Sequence, residues 1–488
     1  MRSRRPRRLR RIFAATACCV LAGACSPAGD SEPVDRTSPP TLASPAGLTL
    51  PPVVGRELSN GLRLMMVEHH ELPVVNFIML VGSGPETDPL DKLGLSTLTA
   101  ALLDEGTSSR DALAIADQAA FLGATLSSSS GWDASRVSLQ TIATQMDSAL
   151  ALFADVILRP GFPEAELERI RRERLTAIIQ QQDSPPRVAD VAFARVVFGE
   201  GHPYGRQQIG TAATVSSVSR EDIQNYYRTH YRPNNSTLII VGDFKPADME
   251  KRLGSLFGVW ERGEVQRPTF VHPPPRTGTS IYIVDKPGAP QSSVRIGHVG
   301  RSRSNPDYFG LLIANTMLGG SFTSRLNMNL REAKGFTYGA FSSFDMRKSE
   351  GPFVTQAEVV SARTDSAVLE FMKELNGIRD TAPAAEVDKA RQYLQLQLPD
   401  AFETPADIAG RLVSVALHGL PLDYYNAYAQ SIAAVTQGEA QRVAAAHIHP
   451  DRLAIVIVGD RRSIEPGLRR LGLGPIQLRD MSGAPLRE

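Results

Sequence analysis

The stretch YYRTHYRPNNSTLIIVGDF, residues 226–244, decides the fold, because a second copy of its pattern occurs later in the chain. It aligns without gaps on VAAAHIHPDRLAIVIVGDR, residues 443–461, with His, Pro, Gly and Asp at matching places 217 residues apart. Each copy predicts a helix, a break at the Pro, and a β-branched strand that ends at Gly-Asp. A repeat over this distance indicates two homologous halves of about 210 residues each.

The segments around the first copy predict how one half is built. An Asn60-Gly61 hairpin signal, a buried strand at 74–84 and a strand-rich region at 124–142 are interspersed with helical patterns. These patterns cover residues 91–105, 109–122, 144–158 and 163–182. For the first helix we expect Asp91 as the N-cap and Gly106 as the C-cap. Hairpins mixed with helices predict an α+β fold, in which each half is a largely antiparallel sheet packed with helices.

A Pro-rich run with little periodicity lies between the halves, at residues 262–278, and predicts a linker. We therefore expect a first domain at 54–261, a second homologous domain at 279–475 and a C-terminal tail at 476–488.

The first 53 residues have the pattern of an export signal followed by a tether. Residues 1–24 join an Arg-rich start to a short apolar run, which predicts a signal peptide because about 12 apolar residues are too few to cross a bilayer. The stretch LAGAC, residues 21–25, resembles a bacterial lipobox, which implies that Cys25 is a lipid anchor. A plain signal peptide with an incidental Cys is the alternative. With a Pro-rich tether at 25–53, we expect an exported protein, lipid-anchored at the periplasmic face of the cell envelope.

Composition argues against two classes of site. All three Cys, at positions 18, 19 and 25, precede the folded body, so we expect no disulfide and no Cys-based zinc or redox site there. Seven of the 53 basic residues are Arg within residues 2–11. The rest of the chain has 46 basic and 52 acidic residues, which gives it a net charge of −6. Because a nucleic-acid binder would carry the opposite charge, we expect no nucleic-acid partner.

The stretch KLGLSTLTAALLDEGTSSR, residues 92–110, resembles the site helix of the pitrilysin/insulinase family of zinc metallopeptidases. That family places an inverted H-x-x-E-H motif in a helix between Gly-Leu and Gly-Thr. The same frame is present here as Gly94-Leu95 and Gly106-Thr107. The resemblance extends over nearly the whole body and implies the two-half fold of these peptidases.

The positions of the family's zinc site are vacated in this sequence. Thr97, Ala100 and Ala101 stand where the family has His, Glu and His, and Ala177 stands at the place of the third ligand, a Glu. Two imidazoles at i and i+4 share one helix face and can bind zinc, while the carboxylate between them activates a water molecule. One hydroxyl and three methyl groups cannot replace them, so the resemblance implies that this chain has no zinc. We expect the remaining His residues to be structural or at the surface.

The second half retains the family's other site motif, within LGGSFTSRLNMNLREAKGFTYGAFSS, residues 318–343. Arg331 and Tyr338 match an Arg/Tyr pair, seven residues apart, that reaches the substrate in these peptidases. The local pattern predicts a helix over 326–334, a cap at Gly335 and a strand from residue 336. A guanidinium and a phenol can hold a peptide carbonyl and stabilise its oxyanion, so the resemblance implies a catalytic role. A helix-end Arg favoured by the helix dipole and a Tyr packed in the core are the alternative.

Some members of this family divide the work between two chains, and this sequence resembles the chain without zinc. The resemblance implies the non-catalytic subunit of a heteromeric bacterial zinc metallopeptidase. Its partner would be a homologous H-x-x-E-H subunit that holds the zinc, and its substrates would be peptides. The chain would contribute to peptide-bond hydrolysis only within such a heterodimer. The alternative is a peptide-binding or assembly scaffold without a peptidase partner, as in the core proteins of respiratory cytochrome complexes. A third alternative is an independent hydrolase with relocated metal ligands.

Overall fold

A computed structural model describes residues 51–486 of the chain except 267, 268, 271 and 274. The expected signal peptide, the lipid-anchor Cys25 and most of the expected tether lie outside these residues. No helix in the described part of the chain is long and apolar enough to cross a membrane.

Two six-stranded sheets form the centres of the two halves. The first contains Val54–Glu57 (β1), Arg63–Glu68 (β2), Val74–Val81 (β3), Thr125–Gly131 (β4), Ala134–Ile142 (β5) and Ser236–Gly242 (β6). The second contains Ser280–Asp285 (β7), Gln291–Val299 (β8), Thr337–Phe344 (β9), Pro352–Val360 (β10), Ala454–Gly459 (β11) and Ile476–Arg479 (β12). The strand orders are β1-β2-β6-β3-β5-β4 and β12-β7-β11-β8-β10-β9, so the two sheets match in five of their six strands and differ at the edge formed by β1 and β12.

Helices pack against these sheets in both halves. Those of the first half are Leu95–Ala101 (α1), Ala112–Phe121 (α2), Met146–Leu158 (α3), Glu164–Asp183 (α4), Pro185–Phe198 (α5), Ala212–Ser217 (α6), Arg220–His230 (α7) and Pro246–Phe257 (α8). Those of the second are Tyr308–Asn315 (α9), Arg325–Asn327 (α10), Thr364–Asp380 (α11), Ala384–Leu396 (α12), Pro405–His418 (α13), Tyr428–Ala434 (α14), Gln437–His447 (α15) and Arg461–Arg470 (α16). A large apolar core lies between sheet and helices in each half.

The repeated stretch has the predicted structure in both copies. Helix α7 and strand β6 form the first copy, and α15 and β11 form the second. Both strands are fully buried because each lies inside its sheet and carries mostly β-branched apolar residues. The β2–β6 and β7–β11 pairs are parallel. The pairs β6–β3, β3–β5 and β5–β4 of the first sheet are antiparallel, and so are the equivalent pairs β11–β8, β8–β10 and β10–β9 of the second. The predicted α+β fold of two homologous halves, largely antiparallel, is confirmed.

The two halves exchange helices, which the linear domain boundaries did not predict. Helix α5 of the first half packs on the second sheet, where Val188 and Phe193 join a core with Tyr282. Helix α13 of the second half packs on the first sheet, where Leu412 joins a core with Ile239. Each half therefore supplies one covering helix to the other half's sheet. The boundaries at 54–261 and 279–475 divide the sequence, but each sheet packs against a helix from beyond its own boundary.

The end of the chain differs from the prediction. The segment 476–488 was expected to be a tail, but β12 pairs in parallel with β7 and forms one edge of the second sheet. The first sheet fills the corresponding position with β1, which is antiparallel to β2. Because an exposed β7 edge would leave backbone groups unpaired, the terminal segment has a structural role here.

The caps expected for the first helix also differ. Helix α1 begins after Gly94, whose φ is 93°, and ends at Ala101, so Asp91 is not its N-cap and Gly106 is not its C-cap. The carboxylate of the buried Asp88 accepts the N–H groups of Gly94 and Ser96, both at 2.9 Å. An acidic side chain from outside the helix therefore satisfies the helix start in place of the expected cap.

Candidate functional site

The vacated zinc positions of the first half come together where α1 packs against α4. Thr97 and Ala101 lie four residues apart on α1, and Ala177 lies on α4. Ala100, at the place of the family's catalytic Glu, is completely buried. The helical geometry of a metal site is therefore retained, while the ligands are absent.

An arginine that the sequence analysis did not single out lies at this place. Arg174 precedes Ala177 by about one helical turn, and its Nη1 donates a hydrogen bond of 2.7 Å to Oγ1 of Thr97. The Thr97 hydroxyl in turn donates to the carbonyl of Gly94 at 2.9 Å. A hydroxyl held by a guanidinium beside two alanines is not a donor set for zinc, and the positive charge of Arg174 opposes a second cation. These residues do not fit the metal.

No group of three or more His, Cys, Asp or Glu side chains in the described residues is arranged to hold a metal ion. The His residues set aside in the sequence analysis are instead tied to neighbouring groups. His202 accepts the N–H of Tyr204 at 3.0 Å, His230 lies 3.1 Å from the Ser83 hydroxyl, and His447 lies 2.6 Å from Asp307. These side chains have structural partners, as expected.

The charges around the vacated site are unbalanced toward positive. Burial raises the pKa of Asp88 to about 7, even though its carboxylate accepts two backbone N–H groups. Burial lowers the pKa of Arg174 and of Arg206, and the charge of Asp88 opposes this effect at both. Arg206 donates to the backbone carbonyls of Asp88 and Gly201, not to a carboxylate. Two guanidinium groups thus share one acid that is partly neutral near pH 7.

The Arg/Tyr pair of the second half lies on a helix and the strand that follows it. Helix α10 continues as a π-helical turn over Met328–Ala333, which contains Arg331. Gly335 has a φ of 64° and donates its N–H to the Arg331 carbonyl at 3.0 Å, as expected of a residue that ends a helix. Strand β9 begins two residues later and carries Tyr338. The predicted helix, Gly cap and strand are present, with the wider winding as the difference.

A buried amide fixes this helix against the strand. Asn327 is completely buried, and its Nδ2 donates to the Phe322 carbonyl at 2.6 Å while its Oδ1 accepts the Ala340 N–H at 3.2 Å. The two elements that carry Arg331 and Tyr338 are therefore held in one arrangement. Sequence reasoning missed Asn327, because an Asn in a helical pattern gives no signal of a buried tertiary partner.

Tyr338 is open to solvent, and Arg331 is partly exposed. The guanidinium carbon of Arg331 lies 4.5 Å from the centre of the Phe322 ring, and its Nε lies 3.4 Å from Oε1 of Glu332. Tyr338 is 91% exposed, and its hydroxyl makes no hydrogen bond to any described residue. Tyr338 is therefore not a core tyrosine. Phe322 and Phe341 are 57% and 46% exposed, so aromatic surface continues beside the pair.

Strand β9 is the outermost strand of the second sheet. Part of this edge is already occupied, because the Ala340 N–H donates to Asn327 at 3.2 Å and the pairing of β9 with β10 is irregular between Thr337 and Ala340. An edge strand can bind an extended peptide only through the backbone groups that remain unpaired. The vacated zinc positions belong to the other half, and no hydrogen bond among the described residues joins them to Arg331 or Tyr338. One chain thus presents the Arg/Tyr pair and a metal place without ligands as separate features.

Comparisons with known proteins cover both halves. The sequence profile of the insulinase family (peptidase family M16) matches residues 64–198, and that of the peptidase M16 inactive domain matches residues 217–394. An uncharacterized zinc protease of Mycobacterium leprae is 26% identical over 310 residues, 63% of this chain and 69% of that protein. A non-peptidase homolog of Helicobacter pylori, YmxG, is 22% identical over 404 residues, 81% of this chain and 91% of that protein. The crystal structure of a peptidase M16 inactive domain from Pseudomonas fluorescens has a TM-score of 0.79 at 25% identity, covering 83% of this chain and 98% of that one.

Proposed function

Because the chain belongs to the insulinase family, peptidase family M16, and is of its inactive type, we propose that it is the non-catalytic subunit of a heteromeric zinc metallopeptidase. The partner would be a homologous chain with the H-x-x-E-H motif, and this chain would supply Arg331 and Tyr338. The observation that carries the proposal is the contrast between two sites. The Arg/Tyr pair is accessible to solvent on elements that are held together, whereas the metal place lacks ligands and contains the Arg174–Thr97 hydrogen bond.

The role of the pair follows from its donors. The Arg331 guanidinium, placed over Phe322, and the Tyr338 hydroxyl can each donate a hydrogen bond to the carbonyl oxygen of a bound peptide. As the carbonyl becomes tetrahedral, its oxygen gains negative charge, and a charged donor then binds it more strongly than in the ground state. The zinc of the partner would activate the water that attacks this carbonyl.

The exposure of this region supports a role in association. Large aromatic side chains are normally buried, and a cluster of exposed ones marks a surface that another molecule covers. Tyr338, Phe322 and Phe341 all lie on or next to the helix and edge strand of the site. In the proposed complex a peptide lies beside Arg331 and Tyr338, and the partner closes over it.

The proposal includes a location outside the cytoplasm. The signal-peptide pattern of residues 1–24 and the lipobox-like LAGAC sequence support export and attachment through Cys25 to a membrane at the periplasmic face. Labelling with a radioactive or clickable fatty acid tests the anchor, with Cys25→Ser as the variant that should lose the label.

The test of function begins with the partner. The tagged chain is purified from its own host, and any chain that co-purifies in equal amount is sequenced. A second chain with H-x-x-E-H supports the proposal. A chain that is purified alone and has no zinc favours the scaffold alternative, and stoichiometric zinc in the lone chain would favour the independent hydrolase.

In the complex, Arg331→Ala should lower peptidase kcat by about 10²–10³-fold, the loss typical of removing one oxyanion donor. The two chains should still elute together. Arg363→Ala is the matched control, because Arg363 is also exposed and lies over an aromatic ring, that of Phe336, at 6.0 Å. Unchanged turnover in Arg331→Ala, or an equal loss in the control, would contradict the role of the pair.

A further inference from the structure

The place of the family's zinc holds a fixed positive charge in this chain. Arg174 extends from α4, and its guanidinium contacts Thr97 on α1 at 2.7 Å. We propose that Arg174 makes this place a carboxylate-binding site, which takes the carboxylate of a peptide chain end or of an acidic side chain. The proposal concerns this chain alone and does not depend on a zinc-bearing partner.

The hydrogen bonds of Arg174 leave donors unused. Its Nη1 contacts the Thr97 hydroxyl at 2.7 Å and the Ile209 carbonyl at 3.5 Å, the limit of a hydrogen bond. Its Nε and Nη2 have no hydrogen-bond partner among the described residues, in a side chain that is partly exposed. Two parallel N–H groups of a guanidinium match the two oxygens of a carboxylate, which is the preferred partner of such a fork.

The side chains at two neighbouring vacated positions do not compete for the guanidinium. Ala101 and Ala177 are both partly exposed and stand where the family has a His and a Glu. Each ends at a methyl group, so neither position supplies a hydrogen-bond partner or a charge to the guanidinium. No acid from these two positions neutralises Arg174.

The electrostatics favour an anion over a neutral carbonyl. Arg206 adds a second, partly exposed guanidinium whose donors are directed at backbone carbonyls. Asp88 is the acid whose charge acts on both arginines, and its two oxygens already accept the N–H groups of Gly94 and Ser96. With two cations and one acid of raised pKa, an incoming carboxylate restores the balance of charge.

Binding to the purified chain, without any partner, tests the site. Fluorescence anisotropy compares peptides of one sequence with a free carboxylate end, an amidated end, or an amidated end plus one internal Glu. The wild-type chain should bind at least one of the two carboxylate peptides about tenfold or more tightly than the neutral one, since hydrogen bonds to charged groups are the strong class. The carboxylate peptide that binds more tightly shows whether the site prefers a chain end or an acidic side chain. A higher salt concentration should weaken this binding.

Two variants and one control make the result specific. Arg174→Gln should remove the preference for carboxylate, while Arg172→Gln, an exposed position on the same helix, should keep it. Ala177→Glu should also remove it, because its carboxylate lies one helical turn from Arg174 and fills the fork from within the chain. Thermal unfolding confirms that each variant is folded. Equal affinity for all three peptides in the wild type, or full carboxylate preference in both Arg174→Gln and Ala177→Glu, overturns the proposal.

Discussion

The buried carboxylate of Asp133 links the two halves of the chain, and its removal should weaken their junction. Asp133 is 4% exposed and accepts the Tyr204 hydroxyl at 2.6 Å and the Lys348 N–H at 3.0 Å. These donors come from the segment after α5 and from the loop between β9 and β10, so Asp133 joins three parts of the chain. Asp133→Ala should therefore destabilise the fold and not only a local loop.

The expected magnitude follows from the bonds that are lost. A hydrogen bond to a charged group contributes about 1.5–3 kcal/mol, so two give about 3–6 kcal/mol. The Tyr204 hydroxyl still accepts the Ser349 N–H at 3.3 Å after the substitution, which limits the penalty of an unpaired group. We therefore expect a loss near the lower end, about 3–4 kcal/mol in the free energy of unfolding.

Urea unfolding followed by circular dichroism and by tryptophan fluorescence measures this loss. Trp132 lies beside the junction, with its ring 5.7 Å from that of Tyr204, so its emission reports on the same region. Asp147→Ala is the control, because the Asp147 side chain is 75% exposed and its ion pair with Arg252 should contribute less than about 1 kcal/mol. A loss below about 1 kcal/mol in Asp133→Ala, or an equal loss in the control, would refute the argument.

Three further predictions concern the site and its surroundings. Tyr338→Phe should change the free energy of unfolding by less than about 0.5 kcal/mol, because the side chain is 91% exposed. The same variant should lower kcat of the complex by about 10²–10³-fold. Urea unfolding and peptidase assays check the two expectations, and an unchanged kcat would contradict the second. Gly335→Ala should lower the free energy of unfolding in urea by about 1 kcal/mol, because the φ of Gly335 is 64° and no atom crowds the new methyl group. Gly410→Ala inside α13, also uncrowded, should raise the free energy of unfolding by up to about 1 kcal/mol. A change of the same sign in both variants would contradict the backbone argument. Burial raises the pKa of Glu86 to about 8 from 4.5, so the folded state retains a proton that the unfolded state releases, and the contribution of Glu86 to stability should fall as pH rises from about 4.5 to 8. The melting temperature of the wild type minus that of Glu86→Gln should therefore decrease over this range, and parallel pH profiles of the two proteins would contradict the argument.

The sequence was informative where chemistry is encoded in residue type and spacing. The two copies of the helix–Pro–strand pattern predicted β6 and β11, because a β-branched apolar run between turn signals leaves few other structures open. The sequence also predicted a helix that carries Thr97 and Ala101 at the i, i+4 spacing of two ligands, and both residues lie on α1. Both inferences depend only on residues near one another in the chain.

The features that the sequence did not predict depend on which element packs against which. The apolar face of α13 shows that it is buried but not that the first sheet buries it, so the helix exchange was invisible. Arg174 likewise looks like one of several arginines on α4 until that helix is packed on α1 and brings the guanidinium to Thr97. Its spacing of about one helical turn from Ala177 was the only local signal.

Because five of the six strands have equivalent positions in the two sheets, the vacated metal place of the first half and the Arg/Tyr pair of the second can be compared directly. In the first half α1 is regularly wound, and the Thr97 hydroxyl has partners. In the second half the helix that carries Arg331 takes a π-helical turn, which is rare and concentrated at functional sites, and Tyr338 exposes an aromatic ring to water. Neither feature stabilises the chain by itself, yet the buried hydrogen bonds of Asn327 hold both in place. Among the described residues, the scaffold fixes an unfavourable winding and an exposed ring in the second half, and this asymmetry supports the proposed role of Arg331 and Tyr338.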